Sequence, residues 1–287
     1  MARKLGQHFL TDPAILDRIV AALDPAPQDT VIEIGAGKGS LSRRLAPKVG
    51  RVIAIEKDRD LAERLREAER DRRETAEQQR ETRPPLPPNV SIVEGDALEL
   101  DWHSLLKESD ASRFPLPVSR PFAGFKLAGN IPYQITSPLI DKALTPPAPE
   151  RIVFLVQLEV AARLAAEPGS PSYGPLTVGV QSAATVERLF TVKAGSFSPP
   201  PKVHSALVRL TPLEDPLVPW EQHAAFRRFV HELFSRRRKQ LGGVLKAISG
   251  ASATEVAALA EDLKLDLRSR AEVFAPVELA RLFMRLG

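Results

Sequence analysis

The N-terminal half of the chain alternates short, almost wholly apolar runs with stretches of helical spacing. Thr30–Ile34 (TVIEI), Arg51–Ile55 (RVIAI), Val90–Val93 (VSIV), Phe125–Ala128 (FKLA) and Ile152–Leu158 (IVFLVQL) each read as a strand. Continuous apolarity marks strands covered on both faces. Helical patterns lie between several of them, which predicts an α/β fold with a doubly wound, Rossmann-like parallel sheet. Two later runs, Ala184–Val192 and His204–Leu210, are expected to complete that sheet as a hairpin at one edge. Ahead of the first strand, Asp12 is placed to cap a helix and Pro13 to open it. Ile15, Leu16, Ile19, Val20 and Leu23 then recur on one helical face.

The pattern changes after TPLEDPLVP (Thr211–Pro219), which reads as an interdomain linker. Trp220–Phe234, Arg236–Ile248, Thr254–Leu263 and Val277–Leu286 all have helical periodicity. The expected organisation is a sheet domain with an N-terminal arm over residues 1–212 and a small all-helical domain over 213–287. One stretch fits neither pattern: Arg66–Arg83 carries twelve charges in equal numbers of each sign and no large apolar residue, and PPLPP follows it. It cannot bury a face, so it reads as a solvated helical extension or a disordered insertion without a catalytic role.

Composition narrows the chemistry. Cysteine is absent, which excludes disulfide scaffolds, thiolate zinc sites and cysteine nucleophiles. Of the five histidines only His223 and His231 are close in sequence, two helical turns apart, so no metal is expected. No apolar run reaches membrane-spanning length, and MARKLGQHFLTDP lacks the apolar core of a signal peptide. A cytoplasmic protein is the expectation, and nothing in the sequence points to an obligate oligomer, so a monomer is expected. The net charge of +4 says little by itself. Its distribution says more: between His223 and Lys246 stand seven basic residues, Arg236-Arg237-Arg238-Lys239 among them, against the single acid Glu232. A solvated helix face would account for such a stripe; so would a polyanion partner.

The most informative segment is VIEIGAGKGSLSRRL, where a strand runs into Gly35-Ala-Gly37-Lys-Gly39 and a helix follows. Glycines there permit a tight turn and close approach to a ligand. The spacing is that of neither a dinucleotide fingerprint nor a phosphate loop. Glu56, 21 residues after Gly35, ends the second strand where an acid accepts ribose hydroxyls. Asp96 follows the third strand, placed to accept from an adenine amine. Each acid alone suits a helix N-terminus. Together, at successive strand ends, they argue for a bound nucleoside. Carboxylates would repel a pyrophosphate, so S-adenosylmethionine fits better than its competitor, NAD.

After the fourth strand comes Asn130-Ile131-Pro132-Tyr133. The exocyclic amine of adenine is a poor nucleophile because its lone pair is delocalised. The Asn130 side chain and the Ile131 carbonyl are placed to accept its protons, Pro132 stiffens the turn, and Tyr133 offers a face for an everted base. A packed turn tyrosine is the plain alternative.

GQHFL (6–10), EIGAGKGSL (33–41), IEKDRD (55–60), GDAL (95–98), GNIPY (129–133), QLEVAARL (157–164), YGPLTV (173–178), FSPPPKVHSALVRL (197–210) and FSRRRKQL (234–241) together resemble the ribosomal RNA adenine dimethyltransferases. The match spans nearly the whole chain and is nearest to the small-subunit type, which dimethylates two adjacent adenosines near the 3′ end of the small-subunit RNA. The resemblance implies S-adenosylmethionine as cofactor, held by His8, Leu10, Gly35, Gly37, Glu56, Asp96 and Asn130. It implies that Asn130 and Tyr133 hold the target base with Phe197 closing its other side. It also implies that Arg236, Arg237, Arg238 and Lys239 grip RNA within an immature small subunit. His8 stands where many relatives have asparagine, and Ala36 where proline is frequent. The alternatives are a large-subunit enzyme of the macrolide-resistance type, a non-catalytic RNA-binding assembly factor and, less well supported, a dehydrogenase.

Overall fold

Asp12 caps the first helix: its Oδ1 accepts from the backbone N–H groups of Ala14 (3.0 Å) and Ile15 (3.3 Å), with Pro13 in the first helical position. The computed structural model describes residues 7–74, 86–107, 124–236 and 238–286. The elements of the sheet-forming region are β1 (Phe9–Leu10), α1 (Pro13–Leu23), β2 (Thr30–Ile34), α2 (Ser42–Leu45), β3 (Arg51–Glu56), α3 (Arg59–Glu74), β4 (Val90–Glu94), α4 (Trp102–Lys107), β5 (Phe125–Asn130), α5 (Thr136–Leu144) and β6 (Arg151–Gln157). They continue with α6 (Leu158–Leu164), α7 (Pro175–Gln181), β7 (Ala184–Val192), β8 (Phe197–Ser198), β9 (Ser205–Pro212), α8 (His223–Ser235), α9 (Leu241–Ser249), α10 (Ala253–Leu263) and α11 (Pro276–Leu286).

Seven strands form one sheet in the order β4-β3-β2-β5-β6-β9-β7. From β4 to β6 every neighbour is parallel, and β9 is antiparallel to β6. The strands are apolar because both faces are covered. Val31, Ile32, Val52, Ile53, Leu127, Val153 and Leu155 are each fully buried. The chain steps outward from β2 to β3 and β4, then returns to place β5 on the other side of β2. Strand order therefore reverses between β2 and β5, and the crevice beyond their carboxyl ends is where such sheets bind ligands. A separate two-stranded ribbon pairs β1 with β8, Phe9 opposite Ser198 and Leu10 opposite Phe197.

The chain divides into two compact units: Met1–Leu158 with Arg188–Thr211, and Glu159–Glu187 with Pro212–Gly287. The sequence boundary at 212/213 differs from this division because Glu159–Glu187 joins the helical unit. Ala166, Tyr173 and Val178 are buried in that unit's core with Phe226, Leu233 and Leu279, and the Tyr173 hydroxyl donates to the Phe274 carbonyl at 2.8 Å. Periodicity cannot reveal such a segment, because an inserted excursion and a continuing domain have the same local pattern.

The helical reading of the charged stretch holds for its described part, and one further expectation changes. Of the charged stretch 66–83, residues 66–74 are the last turns of α3, whose buried face is Ala62, Leu65 and Ala68; the remainder lies outside the described residues. The expected helix from Arg236 begins instead at Leu241. Arg236 leaves helical geometry at φ −108°, ψ 40°, so Arg236, Arg238 and Lys239 stand exposed on the turn between α8 and α9. Arg237 lies outside the described residues.

Candidate active site

The switch point between β2 and β5 opens into a cleft with an open volume of about 1020 Å³, its solvent-facing mouth included. It is built from strand ends. The β2 end supplies Gly35 and Gly37, the β3 end Glu56, the β4 end Gly95 and Asp96, and the β5 end Asn130 through Tyr133. The N-terminal arm contributes Gln7, His8 and Phe9. Of the sequence-predicted residues, His8, Gly35, Gly37, Glu56, Asp96, Asn130, Ile131, Pro132 and Tyr133 all line this cleft.

Gly37 has φ +57°, and a Cβ there would sit 3.1 Å from the Phe9 ring. The positive φ favours glycine, and any side chain there would also have to push the Phe9 ring aside. Its N–H donates to Glu56 Oε2 at 2.7 Å, and the Asp58 N–H donates to Oε1 at 2.8 Å. The glycine turn and the β3 acid thus hold each other in place. Burial raises the Glu56 pKa, against which these two backbone donors act. At Asp96 the balance is reversed: Lys57 Nζ lies 2.5 Å from Oδ2, the Leu98 N–H donates to Oδ1 at 2.9 Å, and these bonds lower the pKa. The cleft therefore presents oriented carboxylates, and Lys57, the one lysine among its described lining residues, is already engaged by one of them.

Asn130 ends β5. Its Nδ2 donates to the His8 carbonyl at 2.8 Å, which leaves Oδ1 as the free acceptor of the carboxamide. The residue before it permits no side chain: a Cβ at Gly129 would come within 2.4 Å of the Ile34 carbonyl oxygen. Beyond Asn130 the chain turns into α5. The Ile135 N–H donates to the Pro132 carbonyl at 3.1 Å, so that oxygen serves the turn. The Tyr133 hydroxyl lies 2.9 Å from Ser205 Oγ, and its ring faces His8 at 6.3 Å between centroids and 30° between planes.

Two expected site residues fall elsewhere. Phe197 is buried in the core beside Leu10, its partner in the β1–β8 ribbon, and is not among the cleft residues. Its backbone pairing with Leu10 supports the arm. Leu10 is likewise a core side chain, on the wall of a smaller neighbouring cavity. A large apolar residue on a two-residue strand carries no periodicity to say which way it points. Gln7, Lys57 and Asp58 also line the cleft, unmarked by the strand-end pattern that picks out Glu56 and Asp96. Gln7 Nε2 donates to Asp58 Oδ2 at 3.1 Å, closing the arm onto the β3 end. Asp58 lay in plain view, two residues after Glu56.

S-adenosylmethionine fits what is present. The glycine turn admits a close approach, Glu56 and Asp96 offer carboxylate acceptors at successive strand ends that would hold a nucleoside's hydroxyl and amine hydrogens, and the acid-lined wall suits a sulfonium cation. The same wall opposes a pyrophosphate. Fold and site together define a methyltransferase that takes its methyl group from S-adenosylmethionine.

The comparisons with known proteins narrow the class. The model of the ribosomal RNA adenine dimethylase family matches residues 1–281, and the chain belongs to that family. It is 39% identical over 277 residues to a ribosomal RNA small subunit methyltransferase A of Synechococcus elongatus, covering 93% of this chain and 89% of the relative. A Geobacter metallireducens protein of the same name is 39% identical over 264 residues, 90% of this chain and 86% of the relative. Among solved structures, a dimethyladenosine transferase from Plasmodium falciparum superposes with a TM-score of 0.75 at 26% identity, covering 97% of each chain. The 23S rRNA methyltransferase ErmE gives 0.69 at 27% identity, covering 97% of this chain and 99% of that one.

Proposed function

We propose that the chain dimethylates N6 of two adjacent adenosines near the 3′ end of small-subunit ribosomal RNA, acting as a cytoplasmic monomer on an immature small subunit. The curated relatives carrying the small-subunit name support the choice of RNA. Among the described residues no helix is long and apolar enough to cross a membrane.

The observation that carries the chemistry is the tethered carboxamide of Asn130. With Nδ2 held by the His8 carbonyl, Oδ1 is left to accept a proton of the target amine, and the Ile131 carbonyl supplies the second acceptor. Holding both protons draws the nitrogen lone pair out of conjugation and aims it across the cleft. These are preorganised dipoles, so they need no reorganisation as charge develops. Tyr133, pinned through its hydroxyl to Ser205, offers its ring to an everted base. Glu56 and Asp96 hold the nucleoside end of the cofactor, which supplies an electrophilic methyl group when bound. The alkylated nitrogen becomes acidic and releases its proton to solvent without a strong base. Arg236, Arg238 and Lys239 provide phosphate contacts from the helical unit.

The test is transfer of labelled methyl groups to small subunits lacking the modification, with large-subunit RNA as the second arm. We expect dimethyladenosine only in the small-subunit RNA, and a loss of about a hundredfold or more in Asn130→Ala. Tight binding of small subunits without labelling would favour a non-catalytic assembly factor, and labelling of the large-subunit RNA would reassign the substrate.

A further inference from the structure

We infer that His8 is a positioning residue for methyl transfer: it fixes the one orientation of the Asn130 carboxamide that can accept protons from adenine N6. The inference rests on the proposed adenine chemistry and adds to it a role for the arm beyond the cofactor contact that the resemblance assigns.

The argument begins with what holds the Asn130 side chain. A carboxamide is nearly symmetric in shape, and rotation by 180° about its last torsion exchanges oxygen for NH2. In the orientation observed, Nδ2 donates to the backbone carbonyl of His8 at 2.8 Å. Flipped, the group would present two donors to an amine that is itself a donor. The carbonyl of residue 8 thus decides whether Asn130 assists the amine or opposes it.

That carbonyl is held in turn by the His8 side chain. The ribbon pairs only Phe9 and Leu10 with β8, and Thr11 continues it through an N–H bond to Ser196 at 2.9 Å. Residue 8 itself is tied by its ring: Nδ1 lies 2.8 Å from the Pro199 carbonyl. A carbonyl can only accept, so Nδ1 carries the proton, and in the neutral ring Nε2 is bare. The ring also stands against Tyr133, so one side chain links the arm, the Pro199 loop and the Asn130–Tyr133 turn. On the other side of the peptide, Gln7 is anchored to Asp58. The arm is therefore pinned on both sides of the carbonyl that Asn130 needs.

This arrangement makes a specific demand on position 8: a donor atom one bond beyond Cγ. Asparagine meets it, because its Nδ2 has the same connectivity from Cβ as histidine Nδ1. Alanine has no donor, and aspartate would set an anion against the Pro199 carbonyl.

The experiment compares wild type, His8→Ala, His8→Asn and His8→Asp as full-length chains. It reads kcat and KM on undermethylated small subunits, the Kd for S-adenosylhomocysteine by calorimetry, and 15N NMR of histidine- and asparagine-labelled protein. We expect kcat to fall about a hundredfold in His8→Ala and His8→Asp, the scale of a misoriented catalytic group. Read at saturating cofactor, so that any change in Kd drops out, KM for the small subunit should stay within about threefold of wild type, and His8→Asn should restore kcat to within about tenfold. The wild-type spectrum should show His8 protonated at Nδ1, and the Asn130 side-chain NH2 should exchange with solvent faster in His8→Ala. Unchanged kcat in His8→Ala, a loss that saturating cofactor abolishes, or a His8→Asn variant as slow as the alanine would each overturn the inference, as would a ring protonated at Nε2. The NMR readings do not depend on which RNA is methylated. A wild-type protein inactive on small subunits would therefore count against the proposed function, and the positioning role would still be decided by the spectra.

Discussion

Glu33 is the acid that the mechanism leaves unused. It interrupts the apolar run of β2, is 2% exposed, and its Oε2 accepts from Ser42 Oγ at 2.5 Å. Burial pushes its carboxyl up to about 8; the Ser42 hydrogen bond opposes that shift and the charge of Glu56 adds to it. The unfolded chain would titrate near 4.5. Between those two values the folded state holds a proton that the unfolded state has lost, so stability falls as pH rises through the window and the contribution is gone above the folded value. Glu33→Gln keeps the shape and removes the titration. Its urea midpoint should gain on wild type steadily from about pH 5 to about pH 9. A difference that did not change with pH would mean that Glu33 stays ionised in the folded protein. Nothing in the sequence marked this residue, because one acid in an apolar strand reads equally as an edge position or a buried group.

At the scale of elements, β5 carries a buried cation near its start and the cleft-lining Asn130–Tyr133 turn at its end. Lys126 is 7% exposed, and its Nζ donates to Asp29 Oδ2 at 2.7 Å and to the Asp24 carbonyl at 2.6 Å. This ties β5 to the chain between α1 and β2. Removing one member of such a pair leaves an uncompensated buried charge. Lys126→Met should therefore cost roughly 3–5 kcal/mol in urea unfolding, with the Lys126→Met/Asp29→Asn double variant recovering much of it. Additive losses would show that the two groups do not act as a pair. The strands themselves were legible because burial on both faces leaves continuous apolar runs, and the glycine turn, Glu56, Asp96 and the Asn130 turn were legible because strand ends converge. What escaped was whatever local pattern does not encode. Leu10 and Phe197 sit on two-residue strands with no period, Glu159–Glu187 joins a distant core, and four adjacent cations look helical until the extended Gln240 restarts the chain as α9.

At the scale of the whole molecule, two local patches of opposite charge lie in different units. The cleft of one is lined with carboxylates, whereas the turn between α8 and α9 of the other exposes Arg236, Arg238 and Lys239. An acidic cleft attracts a cationic cofactor but repels RNA, so affinity for the polyanion has to come from elsewhere on the protein. If about six phosphates are neutralised, log Kd for small-subunit RNA should change with log salt by a slope of magnitude about 4 to 5. Reversing Arg236, Arg238 and Lys239 to glutamate should lower that magnitude by about 2 and weaken RNA binding at every salt concentration. The Kd for S-adenosylhomocysteine should stay put, because none of the three belongs to the unit that holds the cleft. A salt response identical in the reversed variant and wild type would remove the α8–α9 turn from the RNA interface. A loss of cofactor affinity in the same variant would mean that the two functions are not divided between the units as these two patches suggest.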